Sequence, residues 1–296
     1  MRVTFNTTYQ QASYSIAEAA AEMADRQEQV ATGKRLQVPS DDPSASAAAV
    51  AERSEMAITD QYRQSADTVT SRLAVLDTVL QSLVSELTAV KVAVQSGSGT
   101  VPETQRTAAA DTILALRESI YSAVNTQYRG VYPLSGSDAT TPPYSRTGDV
   151  ISGYEGASNI IEVDVDRQMS VPVVIDGGGI LNGAEPDDIF AALETLATAV
   201  RNGDQAGIQA GVGRLDRTFD RVNRALGQVG GDMAMVESQQ NRLDARQLAS
   251  KTRLDALENV DLAEAISAMT QADTAYRAAI AAVGKTSQYS LLDYIK

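Results

Sequence analysis

The sequence contains neither cysteine nor histidine in 296 residues. Their absence removes disulfides, thiol nucleophiles, zinc sites of the usual ligand set, Ser-His triads and imidazole acid–base chemistry together. Missing cysteine suits a chain that crosses from a reducing to an oxidising compartment without mispairing, although many cytosolic proteins lack it too. Positive charge is also scarce. With 25 Lys and Arg against 38 Asp and Glu, the formal net charge is −13, which disfavours a general grip on phosphate backbones and argues against a nucleic acid partner. No apolar run approaches bilayer-spanning length, and residues 1–10 lack the apolar core of a secretory signal. The expectation is therefore no membrane insertion and, for an exported chain, a route without a cleaved signal peptide.

What is present is apolar content, 43% of the residues, enough for a sizeable core. It is arranged with helical periodicity at both ends of the sequence. Tyr9, Ile16, Met23 and Val30 recur every seven residues, with Ala12 and Ala19 three places after the first two, as a coiled-coil seam requires. Gly33 is a natural C-terminal stop, and Pro39-Ser40-Asp41-Asp42-Pro43 supplies turn and N-cap chemistry for a second helix. That helix carries Val69, Leu73, Leu76, Leu80, Leu83, Leu87, Val90 and Val94 in unbroken four-three spacing and ends in the Ser96–Thr100 linker. A third helix follows Pro102, with Ile113, Leu116, Ile120 and Val124 on one face.

From about Gly130 to Gly183 the texture changes to glycine, proline, serine and aspartate punctuating short β-branched runs. Ile161, Val163 and Val165 alternate with Glu162 and Asp164, which predicts a strand in a small β-rich insertion. Asp176-Gly177-Gly178-Gly179 is expected to be a turn between strands, since a phosphate-binding loop would need a following helix and lysine. Helix resumes behind Pro186-Asp187-Asp188 with Ile189, Leu193, Leu196 and Val200 on its apolar face. After Asn202-Gly203-Asp204 a longer seam runs from Ile208 to about Glu258, where Gly230-Gly231 is a place for a bend. Asp261-Leu262-Ala263-Glu264 then caps a separate terminal helix. In it Leu262, Met269, Tyr276 and Val283 recur every seven residues, with Ile266 and Ile280 at the complementary positions.

The expected fold is mainly α with a small β-rich insertion, built as nested discontinuous helical domains. Residues 1–38 and 261–296 would form an inner terminal domain, 39–129 and 185–260 a helical bundle, and 130–184 an outer β-rich domain. The first segment offers few large apolar side chains against the entropy of ordering its backbone. Its ends are therefore expected to order when neighbouring subunits cover them, and Tyr9, Ile16, Met23, Val30, Leu262, Ile266, Met269, Tyr276, Ile280 and Val283 are the expected subunit-interface residues. The same heptads would equally complete a helical bundle inside a monomer. The paired acids Asp41-Asp42 and Asp187-Asp188 read as helix caps rather than as a catalytic pair, so no enzyme activity and no cofactor are expected.

Ala31-Thr32-Gly33-Lys34-Arg35 followed by Pro39-Ser40-Asp41-Asp42-Pro43 resembles the start of the flagellin-like hook-associated protein type 3 family. Asn259 through Ile266, Thr270-Gln271 and Ser287 through Tyr294 are similar to that family's C-terminal helix and tail. Between them Gly130-Val131-Tyr132-Pro133-Leu134-Ser135-Gly136 and Thr141-Pro142-Pro143-Tyr144 look like the approach to its outer β domain, where the family more often has phenylalanine in place of Leu134. The resemblance implies a structural subunit of the bacterial flagellum at the hook–filament junction, exported by the flagellar type III apparatus with a cytoplasmic chaperone. It further implies a homo-oligomeric ring with hook-associated protein type 1 on the hook side, flagellin and the filament cap on the distal side, and terminal helices lining a central channel. The alternative is a short filament flagellin, which would share both terminal domains.

Overall fold

The computed structural model describes residues 5–294, with side chains described for 10–285. The chain forms seven helices and four strands among the described residues: α1 (Phe5–Thr32), α2 (Pro43–Gly97), α3 (Glu103–Val124), β1 (Arg146–Thr147), β2 (Val150–Ile151), β3 (Ile161–Asp166), β4 (Met169–Val174), α4 (Gly177–Leu181), α5 (Ile189–Asn202), α6 (Gln205–Glu258) and α7 (Leu262–Tyr294). They divide into two compact units, residues 1–58 with 246–296, and residues 59–245. The mainly helical fold with a small antiparallel β insertion is the one read from the sequence.

The second unit holds the large core. Every member of the four-three series on α2, from Val69 to Val94, is buried. On α6 the large buried apolar residues are Ile208, Leu215, Val222, Val229, Val236 and Leu243, a strict seven-residue ladder with buried Ala225 beside it, while Val212, Phe219, Leu226 and Met233 flank it half-buried. A regular ladder on each helix lets the two seams mesh along their length. Polar links fix their sense. Lys91 pairs with Asp216 at 2.5 Å, Gln240 donates to Asp67 at 2.9 Å and Arg63 pairs with Asp244 at 2.8 Å. The numbers fall on α2 as they rise on α6, so the helices are antiparallel. The Lys91 ammonium also lies 4.5 Å from the Phe219 ring centre, on its face.

By length and composition α2 contains a stretch apolar enough to cross a membrane, which corrects the expectation that no run comes near. The physical reason is the four-three spacing: the apolar residues are concentrated on the face buried in the core. Helices α3 and α5 pack together, with Ile113, Ile120 and Val124 facing Leu193, Leu196 and Val200 inside the same cluster. The α3 face differs from expectation at one place. Arg117 is buried next to half-buried Leu116, and its guanidinium is paired with Glu118 at 3.0 Å and Glu194 at 3.1 Å.

The β insertion consists of two antiparallel hairpins. In β3–β4, Val163 lies opposite Val171 and Ile161 opposite Val174, with irregularities after Ile161 and between Asp164 and Asp166. The alternation read from the sequence holds: Glu162 and Asp164 are exposed, and Val165 is buried. The hairpin tip is tied to α6 by Gln239, which donates to Asp166 at 2.9 Å. The glycine run after β4 is not a turn between strands. Gly177 begins the five-residue α4, and the reason for glycine is space. A Cβ on Gly177 would lie 2.5 Å from the Leu134 carbonyl oxygen, and one on Gly178 would lie 2.5 Å from the Tyr154 ring. These glycines allow α4 to pack onto the preceding loop.

The aromatic residues gather here. Tyr144, fully buried, packs edge-on against Phe190 at 4.7 Å and Tyr154 at 5.7 Å between ring centres. Burial raises the pKa of both tyrosines, that of Tyr154 to about 12. Helix α5 starts at Asp188, whose carboxylate accepts from the Phe190 amide at 2.7 Å and the Ala191 amide at 3.0 Å.

Candidate assembly surface

The first unit is built on α1 and α7, which pack against each other. Their contact is made largely of small residues. On α7 the buried positions are Ala265 and Ala272, with Ala268, Met269, Tyr276, Ala279 and Val283 half-buried. On α1 the matching stripe is Ala12, Ile16, Ala19, Met23, Arg26 and Val30, all half-buried. Alanines on a helix face let the partner backbone come close, so a seam can form with few bulky side chains.

The expected interface residues divide into two sets. Ile16, Met23, Val30, Met269, Tyr276 and Val283 lie half-buried along the α1–α7 seam. Leu262, Ile266 and Ile280 face outward, at 53%, 49% and 45% exposure. The side chain of Tyr9 lies outside the described residues, as do those of the matched tail from Ser287. In the α7 heptad the inward position is therefore three residues after each of Leu262, Met269 and Tyr276, where alanine stands, and the place four residues on faces away. Sequence reasoning that counted only large apolar residues passed over Ala265 and Ala272. Their seven-residue spacing was the available signal.

Ile266 also borders a shallow groove on α7 whose other walls are Ser267, Thr270, Gln271, Thr274, Ala275 and Ala278. Small and weakly polar residues thus line one side of α7 beside the exposed Ile266.

Between α1 and α2 the chain forms a hydrogen-bonded loop. Gly33 has φ of 69°, the left-handed C-terminal position that glycine adopts without strain. The Asp41 carboxylate accepts from the Gln37 and Val38 amides at 2.9 and 3.0 Å, which lowers its pKa. Asp42 accepts from the Ala45 amide at 3.0 Å and the Ser44 hydroxyl at 2.7 Å, and these bonds, helped by Arg35, lower its pKa to about 2. Asp42 thus caps α2, whereas Asp41, expected to be a cap as well, instead closes the loop before the helix, because its carboxylate faces the Gln37 and Val38 amides. The second break is capped likewise, with Asp261 accepting from the Ala263 amide at 2.9 Å. The two breaks touch: the Val260 amide donates to the Gly33 carbonyl at 3.0 Å, and the Arg35 amide to the Glu258 carbonyl at 2.6 Å.

Among the described residues no group of three or more acidic side chains is placed to hold a metal ion.

The profile of the bacterial flagellin N-terminal helical region matches residues 3–139, and that of the C-terminal helical region matches residues 212–295. Two similar chains are the flagellar hook-associated protein 3 of Escherichia coli K12, 27% identical across all of both chains, and that of Salmonella typhimurium LT2, 25% identical across 94% of each. Among solved structures, a candidate flagellar hook-associated protein from Vibrio parahaemolyticus superimposes with a TM-score of 0.69 at 20% identity, covering 74% of this chain and all of that one. FlgL from Bacillus cereus gives 0.56 at 20% identity, over 70% of this chain and 99% of its own. At that identity the two structures establish the shared fold.

Proposed function

The chain belongs to the hook-associated protein 3 family of flagellin-like proteins, and from that premise we propose that it is the extracellular flagellar subunit joining hook to filament. The observation that carries this reading is the end-to-end match to hook-associated protein 3 chains. It favours a junction protein over a short filament flagellin, because the match includes the middle of the chain as well as both helical ends. The role is structural: the subunit transmits force and presents surfaces, and no reaction is performed.

The subunits form a homo-oligomeric ring. Hook-associated protein type 1 is the neighbour on the hook side, with flagellin and the filament cap on the distal side. Before assembly a cytoplasmic chaperone holds the chain for export. Residues 1–38 and 261–296 serve as the inner, channel-side part, 39–129 with 185–260 as the bundle, and 130–184 as the outer part. Within the inner part, Tyr9, Ile16, Met23, Val30, Met269, Tyr276 and Val283 form the seam, and Leu262, Ile266 and Ile280 meet the next subunit. The outward exposure of these three apolar residues, against the half-buried Met269, Tyr276 and Val283 on the same helix, supports that division.

Deletion tests the reading. A strain lacking this chain is expected to make hooks, release flagellin into the medium and swim only when the gene is restored. Filaments of ordinary length growing from the deleted strain would overturn the junction assignment and leave a minor filament protein.

A further inference from the structure

We propose that Glu258 is a positioning residue, the pin of a rigid joint that sets the direction of the α1–α7 pair relative to the adjoining ends of α2 and α6 within the first unit. Glu258 is the last residue of α6 and only 7% exposed. One carboxylate oxygen accepts from the Lys34 ammonium at 3.1 Å and the other from the Arg53 guanidinium at 2.5 Å. Lys34 belongs to the loop leaving α1 and Arg53 to α2, so a single side chain ties the end of α6 to two segments that precede it by 224 and 205 residues.

The backbone around it is tied to the same place. The Glu258 carbonyl accepts from the Arg35 amide, Gly33 and Val260 are bonded, and Lys34 pairs with Asn259 in an antiparallel bridge. The Arg35 guanidinium reaches the Leu257 carbonyl at 3.1 Å and Asp42 at 3.3 Å. Further along the same helices Arg253 grips Glu52 through two bonds, at 2.7 and 3.1 Å. These contacts cross both breaks in the chain, where a flexible linker would make none.

The electrostatics single out Glu258 from its partners. Its carboxylate is shielded while Lys34 and Arg53 keep half their side chains in water. An exposed cation that loses its partner is rehydrated, whereas a shielded carboxylate stripped of both cations is left uncompensated. The joint therefore depends on the acid more than on either base.

The cysteine-free sequence allows a direct test on the purified full-length chain. Spin labels are placed on cysteines introduced at exposed Ala57 and Ala281, one on α2 and one on α7, and their separation is measured by pulsed dipolar spectroscopy. The parent is expected to give one narrow distance distribution. E258Q is expected to broaden it about two-fold at unchanged helicity, as a released hinge does, and E258R combined with K34E and R53E to narrow it again. If E258Q lowers helicity, the K34Q and R53Q single variants, each at a solvent-facing position and each leaving one cation on the carboxylate, take its place and are expected to broaden the distribution likewise. A broad distribution in the parent would overturn the proposal, as would a narrow one in whichever of these variants keeps its helicity. Neither outcome depends on the flagellar role, which the deletion strain tests separately.

Discussion

The carbonyl of Gly33 accepts a hydrogen bond from the amide of Val260, 3.0 Å away across more than two hundred residues of chain. One residue ends the first helix and the other stands between the last two. The two interruptions of the helical pattern are thus a single place in the molecule, where the left-handed stop at Gly33 and the caps at Asp42 and Asp261 are found together.

Ile266→Asp and Ile280→Asp are expected to leave the monomer intact and to prevent its incorporation. Both side chains are about half exposed, so the cost to the isolated fold should stay within about 0.5 kcal/mol. In an assembled helix contact the same carboxylate would be desolvated, at a cost of a few kcal/mol. Circular dichroism of the purified variants, set against junction assembly in complemented cells, separates the two effects. Normal filaments from either variant would remove these residues from the interface.

Leu80→Asp should do the opposite. Leu80 is fully buried in the middle of the α2 ladder, and a carboxylate there has no cation to meet. A loss of several kcal/mol is expected, visible as reduced helicity and early urea unfolding of the second unit.

Gly177→Ala tests the packing role of the glycine run. Its new methyl group would lie 2.5 Å from a backbone oxygen and 2.9 Å from the Leu134 Cβ, so backbone must move. A destabilisation of about 1–3 kcal/mol is expected, read as a lower urea midpoint. An unchanged midpoint would mean that glycine is needed there for some other reason.

Acid should weaken the first unit at its capped loop. The folded pKa of Asp42 is lowered to about 2 from an ordinary 3.8, chiefly by the Ala45 amide and then by the Ser44 hydroxyl. A lowered carboxylate contributes stability above its unfolded pKa and loses it as pH falls through the folded value. The contribution of Asp42 should therefore disappear between about pH 4 and pH 2, and Asp42→Asn should flatten that part of the stability profile.

Alkali acts on the second unit with the opposite sign. Tyr144 and Tyr154 have pKa values raised by burial, Tyr154 to about 12. Their contribution is complete below the ordinary tyrosine value of about 10 and is lost above it, as the unfolded chain releases protons that the folded one retains. Tyrosine absorbance near 295 nm should rise together with the loss of helicity, and Tyr154→Phe should delay both.

The long helices were legible because their apolar residues obey one period for fifty residues, and Val69 to Val94 needed no tertiary knowledge. Caps at Asp42, Asp188 and Asp261 were legible for a similar reason, since N-capping is local. The glycine run was misread because its cause, the approach of Leu134 and Tyr154, lies far away in sequence. At the assembly surface the period was evident but not which side of it faced in. Alanine carries too little hydrophobic weight to mark Ala265 and Ala272 as the contact, and the isoleucines drew attention to the outward side. Glu258 was visible only as the end of a pattern, because a carboxylate shared by Lys34 and Arg53 leaves no periodic trace.

The first unit is made from the two ends of the chain, whereas residues 59–245 are continuous. A ribosome therefore finishes the large core while α1 still waits for α7. At roughly 5–20 residues per second, the stretch of about 230 residues that separates them takes on the order of ten to forty seconds to synthesise. Throughout that interval Ile16, Met23 and Val30 have no seam partner to cover them, so every nascent chain exposes the same apolar stripe, for a time set by translation speed alone.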